Sequence, residues 1–202
     1  AFEMFEGQEL PAARIKKLML DDTLISFNGI GYDMYIIAAA FEGWRCDALK
    51  RLSDEIIKSK LPAWQVAKNQ GLRTKHDWDH IDIIDVAPGK ASLKIYGGRM
   101  HSPKLQDLPI QPDEMISPEQ RLLLRRYCKN DLDTTEALYR QLEPAIKLRE
   151  QIGAQYGGID LRSRSDAQIA EAVIKYRLNE YTGRTYKPRK VAVGHECRYE
   201  DP

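Results

Sequence analysis

Two pairs of side chains in this sequence have the types and spacing for metal-assisted chemistry. Tyr127 and Asp131 lie four positions apart in a long helical pattern whose buried side is marked by Leu122, Leu123, Arg126, Leu132, Thr135 and Leu138. A phenol and a carboxylate therefore share one helix face, one turn apart. A carboxylate presented this way can hold a divalent cation, and the phenol can orient a water on it. The pair also fits an exposed Asp beside a packed Tyr, because Y-x-x-x-D recurs on helices by accident. The second pair lies in Phe27-Asn28-Gly29-Ile30-Gly31-Tyr32-Asp33. Here a strand delivers Asn28, two glycines permit a sharp turn, and Asp33 opens the next helix, where the helix dipole favours its charge. Two carboxylates from separate elements, each beside a Tyr or an Asn, suit phosphodiester chemistry. Hard oxygen ligands fit Mg²⁺ or Mn²⁺ and disfavour zinc.

The elements that must position these residues alternate between strand and helix. Strands are predicted at residues 2–5, 24–28 and 80–86, each by alternation or by β-branched and aromatic content. Residues 93–96 form a further apolar run that Gly97-Gly98 stops. Helical spacing is predicted over 11–20, 33–41 and 48–59, with another short helix beginning near Trp64. Ser117-Pro118-Glu119-Gln120 is a helix start, with Ser at the cap and Gln three residues on. That helix carries Tyr127 and Asp131 and is expected to end near Leu142, with Pro144 opening the next. Ser165-Asp166-Ala167-Gln168 is a second capping box, opening a helix to about Glu180. The stretch 100–118, rich in Pro, Gln and Asp, reads as a loop. Beyond Gly183 the chain is basic and irregular, in the manner of a linker. This alternation indicates a layered α/β domain.

The 202 residues suffice for a core of their own, and 43% hydrophobic with 30% charged content is ordinary for a globular protein. Lys and Arg (31) nearly balance Asp and Glu (30), so a nucleic-acid partner would need a local basic stripe. Lys90, Lys94, Arg99 and Lys104 form such a run, able to track a DNA backbone or to stay in solvent. Cys46, Cys128 and Cys197 are widely spaced, which argues for a reducing compartment and against a thiolate zinc site. No apolar run approaches membrane-spanning length, so no membrane partner is expected. His76, His80 and His101 lack ligand spacing. Asp82 and Asp85, three apart on a strand, face opposite sides, so only Asp82 could approach a site shared with Asp33.

The pattern N-x-x-x-Y-D, followed about a hundred residues later by Y-x-x-x-D, resembles the second and third motifs of the DEDD 3′–5′ exonucleases, in the subclass with a Tyr in the third. The likeness is closer to the exonuclease region of phage-type DNA polymerases. It extends through Asp79-His80-Ile81-Asp82, Ala87-Pro88-Gly89-Lys90-Ala91-Ser92-Leu93-Lys94, Tyr96-Gly97-Gly98-Arg99 and Asp160-Leu161-Arg162-Ser163-Arg164-Ser165-Asp166-Ala167-Gln168. The resemblance implies a ribonuclease-H-like fold, a mixed central sheet flanked by helices. It implies proofreading hydrolysis at single-stranded DNA 3′ ends, with four carboxylates holding two Mg²⁺ or Mn²⁺ ions. On that reading Asp33 and Asp131 are metal ligands, Tyr127 orients the water, and Asn28 contacts the terminal nucleotide. Lys94, Arg99 and Lys104 are the DNA-binding candidates.

One part of the family pattern is missing. Its first motif, D-x-E on the first strand, does not occur before Asn28; Glu3, Glu6 and Glu9 each lack an Asp two residues earlier. The expectation is an exonuclease domain over 1–158 whose first strand and motif lie upstream. Residues 159–202 would be a helix and linker leading to a polymerase domain of the same chain. The setting implied is the cytoplasm of a phage-infected or lysogenic bacterium. The competing expectation is a catalytically silent ribonuclease-H-like module that binds DNA or braces a polymerase.

Overall fold

Leu24–Ser26 (β1) and His80–Asp82 (β2) pair in parallel, with Leu24 opposite His80, Ile25 opposite Ile81 and Ser26 opposite Asp82. They belong to a computed structural model that describes residues 2–4, 7–72 and 78–185. The side-chain alternation of a strand puts Ile25 and Ile81 on one face and Leu24, Ser26, His80 and Asp82 on the other. The apolar face is covered by a core of Ile81, Ile83, Val86, Ala87, Tyr96, Leu138 and Ile146. Parallel strands need a crossover. It is supplied by Asp33–Phe41 (α2), Cys46–Lys58 (α3) and Ala63–Asn69 (α4), with Ala12–Asp21 (α1) preceding β1. These crossover helices bury a second cluster, Ala39, Leu52, Val66, Ala67 and Leu72. Each Leu, Ile or Val buried in either cluster contributes about 1.5–3 kcal/mol.

After β2 come Leu93–Arg99 (α5), a long irregular stretch, Gln120–Gln155 (α6) and Asp166–Thr182 (α7). Helix α6 packs on β1 and on α5. Its start has the expected reciprocal bonds: Ser117 N donates to Gln120 Oε1 at 2.8 Å, and Gln120 N to Ser117 Oγ at 3.4 Å. The capping box at Ser165 and Gln168 is also present, and Gly183 closes α7 in the left-handed conformation at φ 64°. The architecture is mixed α/β and mostly helical, with seven helices and two strands among the described residues.

Six expectations about elements are corrected. The strand expected over 24–28 stops at Ser26, and Leu122, Leu123, Arg126 and Leu132, expected on the buried side of the long helix, are exposed. Residues 2–4 form no strand, and Phe5 lies outside the described residues. The strand expected over 80–86 stops at Asp82, where 84–86 turn and let Val86 and Ala87 N donate to Ile83 O. The apolar run at 93–96 is the start of α5, which continues through both glycines. A short apolar run fits strand or helix equally. Helix wins because it buries Tyr96, whose hydroxyl donates to Pro88 O at 2.9 Å. Gly97 has no side chain to collide with Leu105 and Thr134, which would stand 3.1 and 3.2 Å from a Cβ there. Finally, α6 runs through Pro144 without a break. Pro144 is exposed, so water can serve the Arg140 carbonyl it leaves unpaired, while Leu138 and Ile146 on either side enter one core.

Candidate functional site

Asp82 organises the polar face of the sheet. Its residue is only 2% exposed, and a buried carboxylate needs partners. They are backbone amides: Oδ1 accepts from Asn28 N at 2.8 Å and Ile84 N at 3.2 Å, and Oδ2 accepts from Ile30 N at 2.9 Å. The amide of Asp82 donates to Ser163 Oγ at 2.9 Å. Asn28, exposed at the turn, adopts φ 66°, a left-handed conformation that Asn tolerates better than most residues. Gly29 and Gly31 are needed for space instead. A Cβ at Gly29 would lie 2.3 Å from Ser26 Oγ, and one at Gly31 would lie 2.3 Å from Asn28 Oδ1.

Beside this turn, Ser26 Oγ lies 2.7 Å from His80 Nε2 and accepts from Gly29 N at 3.1 Å. Burial lowers the His80 pKa, against the opposing influence of Asp82 and Asp79. A neutral ring accepting the Ser26 hydroxyl proton satisfies this chain of bonds. Asp79 is held by the Thr23 hydroxyl and by Arg162, which also bonds Asp160.

Asp33 is the first residue of α2 and faces solvent on its outer side. Protein crowding its inner side raises its pKa, and the nearby Asp82 charge adds to this. The outward exposure tempers the effect, because water still reaches the carboxylate. Asp33 is thus tied to Asn28 through a shared neighbour, Asp82.

On α6 the expected pair stands one turn apart, close enough that the Tyr127 hydroxyl and the Asp131 carboxylate influence each other's pKa. Both residues are half-buried. Burial raises the Asp131 pKa, and the neighbouring Tyr127 hydroxyl partly offsets it. Burial also raises the Tyr127 pKa, aided by Asp131 and more weakly by Asp107. Arg125, two residues before Tyr127, pairs with Glu3 at 2.6 Å, which lays the N-terminal segment along this part of α6. The charge acting on Asp33 is that of Asp82, whereas Asp131 is influenced by the Tyr127 hydroxyl. Among the described residues, no group of three or more His, Cys, Asp or Glu side chains is arranged to hold a metal ion. A groove of about 410 Å³ lies where α2 meets α3, between Met4, Gln8, Phe41, Trp44 and Arg45, and no candidate site residue lines it.

The three DNA-binding candidates differ in their surroundings. Lys94 pairs with Asp107, the carboxylate that also influences Tyr127. The Arg99 guanidinium stacks 5.6 Å from the Tyr96 ring centroid. Lys104 is exposed. Compared with family models, curated proteins and solved structures, the chain matches none. Sequence reasoning underrated Asp82. The signal for it was an acid between Ile81 and Ile83: a carboxylate in an apolar run is buried and must be paired. It also missed the Ser26–His80 bond, which the strand register decides.

Proposed function

We propose that the chain is the 3′–5′ exonuclease region of a phage-type DNA polymerase, with a ribonuclease-H-like fold and a polymerase domain in the same protein. The observation that carries the reading is the juxtaposition of Tyr127 and Asp131, both half-buried one turn apart on α6. That helix packs on β1, and the turn after β1 carries Asn28 and Asp33. The substrate is the 3′ end of single-stranded DNA, in the cytoplasm of a bacterial host.

Asp33 and Asp131 are donors of the right kind for Mg²⁺ or Mn²⁺, hard oxygens in surroundings that disfavour an uncompensated negative charge. Bound there, such cations neutralise phosphate charge and make a water more acidic. The chain's own residues do the positioning. The Tyr127 hydroxyl, beside Asp131 on the same helix face, has oxygen lone pairs that can accept a hydrogen from the attacking water. Asn28, exposed at its turn, meets the terminal nucleotide. Lys94, Arg99 and Lys104 neutralise the strand behind it, Lys94 by exchanging Asp107 for phosphate. Hydrolysis consumes one water, forms one P–O bond, breaks the bond to the 3′-oxygen and releases a 5′-nucleotide.

Mn²⁺ titration followed by NMR tests the reading. It expects paramagnetic broadening at Asp33, Tyr127 and Asp131 together, weakened by either Asp33→Ala or Asp131→Ala. The full-length gene product should digest a 3′-labelled single strand, and each substitution should slow it by at least a hundredfold. Broadening at only one carboxylate, or digestion indifferent to both substitutions, would overturn it. The second reading, a silent module that binds DNA, is favoured by the exposure of the basic side chains Lys94, Arg99 and Lys104. It expects strand binding with no digestion.

A further inference from the structure

The exposed apolar side chains of α7, the groove between α2 and α3, and the Lys94–Asp107 pair each leave their occupant or consequence open. Asp82 does not. Its carboxylate is the most deeply buried acidic group among the described residues, and each of its oxygens accepts from an amide of one short turn, Oδ1 also accepting from Ile84 N. That turn leaves the sheet at Ser26 and enters α2 at Asp33. Within it the backbone must pass through a left-handed residue, Asn28, that is not glycine. Asn visits that region more readily than most residues, and the bonds of its neighbours decide that it stays there. Charge-assisted bonds from Asn28 N and Ile30 N, one to each oxygen, supply that constraint. The base of Asp82 is fixed in turn, because its strand pairs with β1 and its amide donates to Ser163.

We propose that Asp82 is the positioning residue of the Asn28–Asp33 turn. It touches neither substrate nor cation, and it sets where the Asn28 side chain and the Asp33 carboxylate are presented. The assignment of a chemical task to that turn rests on the nuclease reading; the holding of the turn does not. Asparagine keeps the shape of the side chain but offers one acceptor oxygen where Asp82 offers two. In Asp82→Asn one of the two amides must therefore face an NH₂ group, and in Asp82→Ala both lose their acceptor.

The test has two arms. Amide hydrogen exchange of this chain should show one of Asn28 and Ile30 exchanging at least tenfold faster in Asp82→Asn, and both in Asp82→Ala. Ile83 N, which donates to Ser26 O at 2.9 Å, reports whether the strands stay paired. Should Asp82→Ala unpair them, Asp82→Asn alone decides the arm. Unchanged exchange at both amides, with Ile83 protected, would overturn the proposal. In the full-length product, Asp82→Asn should lower kcat for single-strand digestion at least tenfold and change the Kd for the same strand, measured in EDTA, by less than threefold. An unchanged kcat beside accelerated exchange would overturn the positioning role while leaving the nuclease reading intact. Absence of digestion by the unsubstituted protein would sink the nuclease reading and leave the exchange arm to decide the turn.

Discussion

Asp33 is pulled in opposite directions by its surroundings. As the first residue of α2 its charge is favoured by the helix dipole, while crowding by protein and the Asp82 carboxylate oppose it, and the opposition wins. A carboxyl whose pKa is higher folded than unfolded binds more protons in the folded state between the two values. Stability therefore falls as pH rises through that window, and above it the charge is a standing penalty. Asp33→Asn should raise the thermal midpoint at pH 7 and lose the advantage as pH falls through the window above the ordinary Asp value of 3.8, with none left below it. Melts by circular dichroism from pH 3 to 7 check this; a variant less stable than the parent at pH 7 would show that the dipole dominates. Loss of stability at a polar cluster is the usual companion of function. Asp82 illustrates the complement, a carboxylate whose bonds hold structure so that a neighbour can be presented.

At the scale of elements, α6 is the unexpected feature. A helix of 36 residues passes through Pro144, where a break was expected. A proline inside a helix forfeits one backbone bond and crowds the preceding turn, at a cost of about 3 kcal/mol. The helix continues because Leu138 and Ile146 sit in the same core as the sheet, and Arg149 is anchored beyond them. Pro144→Ala should stabilise the protein by roughly 1–3 kcal/mol, since an exposed position loses no packing while the bond to Arg140 O is restored. Urea denaturation measures the gain, and a midpoint lowered by the substitution would mean that the proline is accommodated by a kink the core requires. Helix α5 carries the same lesson about competition. Its apolar Leu93, Ile95 and Tyr96 suit a strand, and the buried Tyr96 with its bond to Pro88 O makes it helical.

Among the described residues two cores form: one under α5 and α6, the other among α2, α3 and α4. Helix α7 joins this body through few contacts. Arg149, 6% exposed, donates to Arg164 O, Ala145 O and Asp166, whose own side chain is 93% exposed. The edge-on pair Tyr156–Tyr176 is the second link. The asymmetry of the ion pair predicts asymmetric costs. Arg149→Ala removes three bonds and a buried stem, so it should destabilise by about 2–3 kcal/mol. Asp166→Ala removes one exposed partner and should cost no more than about 1 kcal/mol. Equal losses in thermal melts would mean that the ion pair, and not the carbonyl anchorage, holds the start of α7.

Much of the chain was legible without coordinates, because local rules act over a few residues. The start of α2 at Asp33, both capping boxes and the facing of Tyr127 toward Asp131 follow from caps and helical spacing alone. So did the mixed α/β class, through alternating elements. Other features were settled by distant neighbours. The strand at His80 ends at Asp82 because that carboxylate turns back to the 28–30 amides; the run at Leu93 is helical because Tyr96 finds a pocket. The Ser26–His80 bond exists because the register sets those residues diagonally on one face. Spacing along a chain fixes which groups share a helix face, since the helix repeat is a property of the backbone. Which carboxylate lies exposed and which is buried against amides depends on packing between segments far apart in sequence, and only the tertiary structure decided that.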